Sequence, residues 1–546
     1  MTSLAARARY VARLLVRPQF RRTEWQSWRA YWDWRTHART LSTPMATNPT
    51  RRALIVTKGT INGARVEIAL IKGLELAGFT PVVLTEDWLE KHYRLAGVTQ
   101  FVRWSQFAGG DFSEAASAIA HRATSVDDVI DVEHRSARVG KFALSTTFRT
   151  LLVGRLDFAS AETTSTLARL LGEGMTRADA AWRLLDQVRP DLALFMGNRY
   201  TGQGELMDVC LERGIDVLTW FDAHRGSSLM LKRYQQANRD RHHGSISDAM
   251  WDDLRAMEWT SDRRRALQAE YYDNYAAGNW YSRGGTQFNK TIVGADALRR
   301  RLHLDPDKKT AVIFTHIVWD ATLFWGRDLF SNYEDWLVET VRAACANPRL
   351  NWIVKVHPAH VAKSAMEKWH GEPAEVVAIR ERVGPLPPHV VIVPPDTDIN
   401  TYSLFSLMDY CLTVRGTIGI EAASLGVRVV TAGSGRYDHR GFTLDSSDAA
   451  DYLATLASLE RVPAMSPAER ELAERFAYGA FLVRPFFLTS LAIEHQRDVT
   501  ATTVVSLTAR NGEELRSAPD LRAFAEWAAD RSREDFGHVD VAIHAH

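Results

Sequence analysis

RALIVTKGTINGARVEIALIKGLELAGFTPVVLTED, residues 52–87, decides the fold. RALIVTK (52–58) is a short apolar run, GTINGARVEIALIKGLELAG (59–78) is a glycine-bounded stretch with apolar residues at helical spacing, and FTPVVLTED (79–87) is a second run ending in acids. Two buried strands joined through a helix require a crossover, so they lie parallel and form a βαβ unit.

The same alternation continues downstream. VTQFVRW (98–104) reads as a third strand, with helices over 113–123 and 144–187. After Pro190 come strand DLALFMG (191–197), a helix from Gly204 to Arg213 stopped by Gly214, and strand IDVLTWF (215–221). Residues 230–300, polar and rich in Arg, Tyr and Trp, read as helices added to this domain. LHLDPDKKT (302–310) is a linker, after which strands AVIFTHI (311–317), NWIVKVH (351–357), HVVIVPP (389–395), DYCLTV (409–414) and VRVVTAG (427–433) alternate with helices. The expected architecture is α/β: two doubly wound, Rossmann-like domains facing across a cleft, with a helical N-terminal extension. Its divisions fall at 1–48, 50–300, 305–490 and 491–546.

Composition narrows the function. Across 546 residues, 67 Lys and Arg balance 66 Asp and Glu, and 46% of residues are hydrophobic, which excludes a disordered chain or a strongly nucleic-acid-binding one. Cys210, Cys345 and Cys411 lie far apart, so neither a disulfide framework nor a cysteine zinc site is expected. No run approaches the roughly 20 apolar residues of a membrane span, and Arg7, Arg9, Arg13 and Arg17 interrupt the apolar core a signal peptide needs. The expected location is the cytoplasm. Trp25, Trp28 and Trp32 recur at near-helical spacing in the basic N-terminal segment. Two readings stand side by side: a stripe packed on the domain behind it, or docking of residues 1–40 on the inner membrane surface.

Chemistry gathers at strand ends of the second series. Lys355, His357 and Pro358 follow one strand, where Pro suits a first helical turn and the helix start attracts anions. Arg415, Gly416, Thr417 and Gly419 follow another, with glycines admitting a phosphate to the backbone. Glu421 sits a turn further on, placed to accept from sugar hydroxyls. Gly433 to Tyr437, including Arg436 and Tyr437, form a third polar edge. Together these point to a phosphate ligand, a nucleotide diphosphate sugar or a nucleotide monophosphate sugar.

WDATLFWGRDLFSNYEDWLVETV (319–341), NWIVKVHPAH (351–360) and TVRGTIGIEAASLGVRVVTAGSGRYDHRGFT (413–443) together resemble the capsule polysaccharide biosynthesis group of bacterial glycosyltransferases. This group looks GT-B-like, and its wider relatives, polysialyltransferases and Kdo transferases, share a His-Pro motif. The resemblance spans about residues 310–445. It implies a metal-independent glycosyltransferase moving sugar from a nucleotide sugar to a capsular or related polysaccharide or a lipid-linked glycan, with no cofactor beyond that donor. It further implies that residues 50–300 form the acceptor domain and 305–490 the nucleotide-sugar domain. His357 and Pro358 would bind the donor phosphate, while Gly416, Thr417 and Glu421 would hold the nucleotide. Leaving-group charge would be stabilised by Lys355, His357, Arg415 and the helix ends. For the acceptor side the candidates are Asp320 first, then Asp222 and His224 of WFDAHRG. A nucleotide-sugar epimerase or polyol-phosphate transferase on the same fold, and a non-catalytic glycan- or nucleotide-binding scaffold, are the alternatives.

Other motifs read as structural. Asp396 and Asp398 resemble a metal-binding Asp-x-Asp, but their place before a helix favours capping by Asp398 or Asn400. Gly202 and Gly204 read as a helix start, and His242 with His243 as a solvated basic loop. The segments VTATTVVSLTA and DLRAFAEWAADRS after residue 490 either cross back to the first domain or bind a partner.

Overall fold

The computed structural model describes residues 50–107, 109–197, 199–276, 290–361, 371–495 and 503–537, with scattered positions between 32 and 45. Trp25 and Trp28 of the N-terminal stripe lie outside the described residues. Trp34 is buried in the first domain's core beneath Arg65, while Trp32 is exposed.

The first sheet contains β1 (Arg51–Val56), β2 (Phe79–Leu84), β3 (Gln100–Val102), β4 (Leu192–Met196), β5 (Asp216–Asp222) and β6 (Ser228–Tyr234). Its parallel strands run β3-β2-β1-β4-β5, and β6 adds antiparallel to β5. Ala53 and Ile55 enter one core while Leu54 and Val56 enter the other, because side chains alternate across a sheet covered on both faces. That double burial explains the unbroken apolar run in the sequence.

The second sheet contains β7 (Thr310–Phe314), β8 (Asn351–Lys355), β9 (Val390–Val393), β10 (Tyr410–Thr413), β11 (Arg428–Thr431) and β12 (Thr443–Asp445). Its six parallel strands run β9-β8-β7-β10-β11-β12, the 3-2-1-4-5-6 order of doubly wound nucleotide-binding folds. In both domains, therefore, the strand order reverses between the first and fourth strands, and a crevice opens at their carboxyl ends. Two such domains facing each other form a GT-B-like fold.

The structure departs from the sequence expectation in several places. The helix expected over 144–187 is two helices, Val139–Leu151 and Ala161–Val188, broken where Leu152 turns left-handed at φ 56°. β6 lies where helices were expected. Helices Asp248–Ala256 and Ser261–Tyr275 contribute Trp251, Leu254, Tyr271 and Tyr275 to a core of the second domain, not the first. After helix Pro467–Tyr478, the strand β13 (Pro485–Phe487) pairs with β6, so the chain returns to the first sheet before residue 490. The hairpin β14 (Leu491–His495) and β15 (Thr503–Leu507) follows, and helix Pro519–Ala529 buries Leu521 and Phe524 in the same core as Leu70 and Leu74 of helix Ile61–Leu76. Residues 485–537 thus belong to the first domain. No helix among the described residues is long and apolar enough to cross a membrane.

Candidate active site

A cavity of about 950 Å³ lies between the two strand-order reversals. Lys58 and Thr60 after β1, and Gly197 and Tyr200 after β4, face His316 after β7 and Gly416 and Thr417 after β10. Of the residues expected from sequence, Asp222, His224, Asp320, Lys355, His357, Pro358, Gly416, Thr417, Glu421 and Arg436 all line it, and Arg415 and Tyr437 stand behind its wall.

The donor-side geometry starts at helix Thr417–Ser424. Gly416 is its N-cap and supplies no side chain; its carbonyl accepts from the Gly419 N–H (3.0 Å), while the Thr417 and Ile418 N–H groups ahead of it receive no side-chain cap. The Tyr437 hydroxyl donates to the Gly416 carbonyl (2.9 Å) and Thr413 Oγ1 accepts from the Gly416 N–H (3.1 Å), which sets the turn. A Cβ on Gly419 would stand 2.1 Å from the Tyr437 hydroxyl, so glycine is required for this close approach. Arg415, expected to add charge to a ligand, is instead buried in an ion pair with Asp328 and donates to the Tyr333 hydroxyl (3.2 Å) and Ser434 carbonyl (2.9 Å). It acts on the site through the backbone it braces.

Two histidines stand beside that helix end. The Ala359 N–H donates to His357 Nδ1 (3.1 Å), so the neutral ring carries its proton on Nε2. His357's own N–H donates to Thr315 Oγ1 (3.0 Å). His316, not singled out from sequence although it ends strand AVIFTHI, receives the Val414 N–H on Nε2 (3.3 Å) and stacks on Tyr333. Burial, then the charges of Arg415 and His357, push its pKa down to about 3, so it is neutral. Lys355 is buried at the end of β8 and donates to the Val356 carbonyl (3.0 Å); burial and nearby Lys290 bring its pKa to about 7. Glu421 is pushed up to about 7 by burial, opposed by the hydroxyl of Tyr275, which donates to its Oε2.

Across the cavity, β5 ends in Asp222, and His224 follows. His224 Nε2 pairs with Glu270 Oε1 (2.8 Å), and Arg225 grips both oxygens of the same carboxylate (2.8 and 2.6 Å). Glu270 is held down at about 2 because the His224 and Arg225 bonds outweigh its burial. This orients the imidazole, the geometry a proton acceptor needs. Asp320, ranked first from sequence, is committed elsewhere: its Oδ1 accepts from Arg149 Nη1 (2.6 Å) and the Tyr200 hydroxyl (2.9 Å) of the first domain. Its loop buries Leu323, Phe324 and Trp325 in the first domain's core, which joins the two domains beside the cavity.

His242 and His243 correct the sequence reading. They are not a solvated loop but line the cavity, with His243 stacked on Phe221 (3.7 Å) and on His242 (4.0 Å). The His242 N–H donates to the Gly435 carbonyl (2.8 Å) and Arg484 donates to the His243 carbonyl (3.2 Å), so partners remote in sequence draw a basic loop inward. The Asp-x-Asp departs from the expected capping: Asp398 pairs with Arg301, the N-cap of helix Tyr402–Phe405 is Thr401, and Asn400 only receives the Tyr402 N–H (2.9 Å). Gly204 starts helix Gly204–Glu212.

No family model matches the chain, and no curated protein matches it. Among solved structures, the Thermosulfurimonas dismutans KpsC beta Kdo 2,4 transferase is similar at 16% identity over 57% of this chain and 84% of that one, with a TM-score of 0.34. UDP-GlcNAc 2-epimerase from Neisseria meningitidis, bound to UDP-GlcNAc, is similar at 12% identity over 79% and 97%, with a TM-score of 0.27. Anabaena Alr3699/HepE in complex with UDP is similar at 10% identity over 79% and 94%, with a TM-score of 0.28. The strand orders define a two-domain, Rossmann-like protein with a cavity at its domain junction.

Proposed function

We propose that this chain is a glycosyltransferase that moves a sugar from a nucleotide-sugar donor to a surface polysaccharide or glycolipid acceptor. The observation that carries the reading is the opposition, across one cavity, of an uncapped helix N-terminus flanked by His357 to an oriented His224–Glu270 pair beside Asp222. Negative charge develops on the leaving phosphate as the anomeric bond breaks, and the helix N–H groups and His357 Nε2–H are preorganised to receive it. Lys355, with its pKa near neutrality, adds charge once an anion is bound. Glu421 accepts from ribose hydroxyls through its carboxylate. The acceptor hydroxyl loses its proton to the Asp222–His224 end of β5, while Asp320 holds the two domains together through Arg149.

Thermal stabilisation of the full chain by CMP, CDP, UDP and GDP tests the site, since a ligand of the folded state raises Tm by mass action. The expected result is a shift with one nucleotide family, lost in His357→Ala, with nucleotide released and sugar transferred only when a glycan acceptor is present. Turnover of a nucleotide sugar without any acceptor identifies an epimerase instead. No shift with any nucleotide sinks the preformed site.

A further inference from the structure

One wall of the cavity carries a guanidinium that has no ion pair among the described residues. Arg436, in the turn after β11, donates from Nη1 to the Arg415 carbonyl (3.2 Å), and its Nε is buried without a partner among the described residues. Arg415 beside it is paired with Asp328, whereas Arg436 has no ion pair among the described residues. The first domain faces it with the His242–Gly244 loop: a Cβ added to Gly244 would stand 3.3 Å from Arg436 Nη2 and 3.2 Å from His242 Nδ1. His243 Nδ1 is likewise buried without a partner. Arg199, 3% exposed, lies 4.4 Å over the Trp325 ring with its Nη2 unpartnered, and Trp325 contacts His242 at 5.0 Å.

Arg436 is half-buried with its Nε shielded and unpartnered, and of the carboxyls among the described residues only that of Glu421, itself raised by burial, opposes its charge; a bound anion would complete its hydrogen bonds and balance that charge. Burial lowers Arg436 to about 10 against the opposing charges of Tyr437 and Glu421, with Arg415 adding a smaller repulsion, and burial with the surrounding cations holds His242 and His243 well below the usual range, leaving both imidazoles neutral. Because Arg436 touches the carbonyl of the residue preceding Gly416, this wall adjoins the helix end that receives a first phosphate in the reading above. A second phosphate on the same ligand therefore meets Arg436.

We propose that the donor is a nucleoside diphosphate sugar, not a nucleoside monophosphate sugar, and that Arg436 with the facing His242–Gly244 loop holds its second phosphate. The inference rests on the nucleotide site of the proposed function and goes further by naming the donor class.

Calorimetric titration of the full chain with matched pairs, UMP and UDP, CMP and CDP, GMP and GDP, reads it out. The expected result is one base preferred and its diphosphate bound about ten- to a hundredfold more tightly than its monophosphate, as charge-assisted hydrogen bonds allow. Arg436→Gln should cut that preference to about twofold while leaving the monophosphate's affinity nearly unchanged. Gly244→Ala, which crowds the guanidinium without removing it, should lower the preference in the same direction and serves if Arg436→Gln does not fold. A monophosphate bound as tightly as its diphosphate overturns the inference and leaves the glycosyltransferase reading standing. Equal weakening of both ligands by Arg436→Gln also overturns it. Absence of binding by every nucleotide overturns the glycosyltransferase reading itself.

Discussion

The two domains share a strand order yet treat their helix ends differently. In the first domain, Thr60 Oγ1 accepts from the Gly63 N–H (3.1 Å) at the start of helix Ile61–Leu76, and Glu205 accepts from the Gly202 N–H (2.8 Å) at the start of helix Gly204–Glu212. The first of these ends is capped by a side chain, whereas the second has no side-chain cap at Gln203 but carries the Glu205 carboxyl in its first turn. In the second domain the corresponding helix after β10 begins at Gly416, with no side-chain cap. One architecture thus places a side-chain cap or a first-turn carboxyl at the helix ends of one copy and a bare glycine at the matching end of the other, and the difference lies in a few residues.

The largest test of this contrast is His357→Ala. Loss of one donor to a developing oxyanion should lower kcat about 10²- to 10³-fold, measured with saturating donor. Retention of full kcat would break the assignment of the charged edge to the second domain.

The buried carboxyls sharpen it. Glu421 titrates at about 7 and Glu205 at about 8, both raised by burial above an ordinary value of 4.5. Each binds its proton more tightly in the folded state, so its stability contribution is complete below about pH 4.5 and is lost as pH rises through the folded pKa. Glu421→Gln and Glu205→Gln should each flatten the decline in urea unfolding free energy over that window, Glu205→Gln the more strongly. Saturating nucleotide should remove the Glu421 share, because ribose hydroxyls favour its carboxylate, and leave the Glu205 share intact. Equal response of both carboxyls to nucleotide would erase the distinction.

The smallest effect is expected from Thr60→Ala. Loss of the cap should cost about 1 kcal/mol of stability in urea unfolding and change nucleotide affinity by less than about twofold. A large loss of nucleotide affinity would place the phosphate at the first domain's edge instead.

Much of this contrast was legible in the residues. The βαβ units announced themselves because both-face burial leaves continuous apolar runs, and Gly416, Thr417 and His357 followed from strand ends punctuated by Gly and Pro. β6 was hidden because Lys232 and Arg233, fully buried within it, look like surface residues until Asp535 and Asp216 are seen beside them. His242 and His243 were misread for the same reason: their partners, Gly435 and Arg484, are remote in the chain. Asp320 was found, but its pairing with Arg149 depends on how the domains meet, which no local pattern encodes.

The pairing of β13 with β6 also governs how the molecule is made. Met230 meets Pro485 across that ladder, so an early strand waits for one synthesised some 250 residues later. At roughly 5–20 residues per second that wait lasts on the order of tens of seconds, with β6 presenting an open, aggregation-prone edge to its surroundings. The ribosome completes the second domain during this interval, and only then does the tail arrive to finish the first. Synthesis order and folding order are therefore inverted. A chain that stalls or is clipped before residue 485 leaves its earlier-made half unfinished, which makes the far end of the message the checkpoint for the near end of the protein.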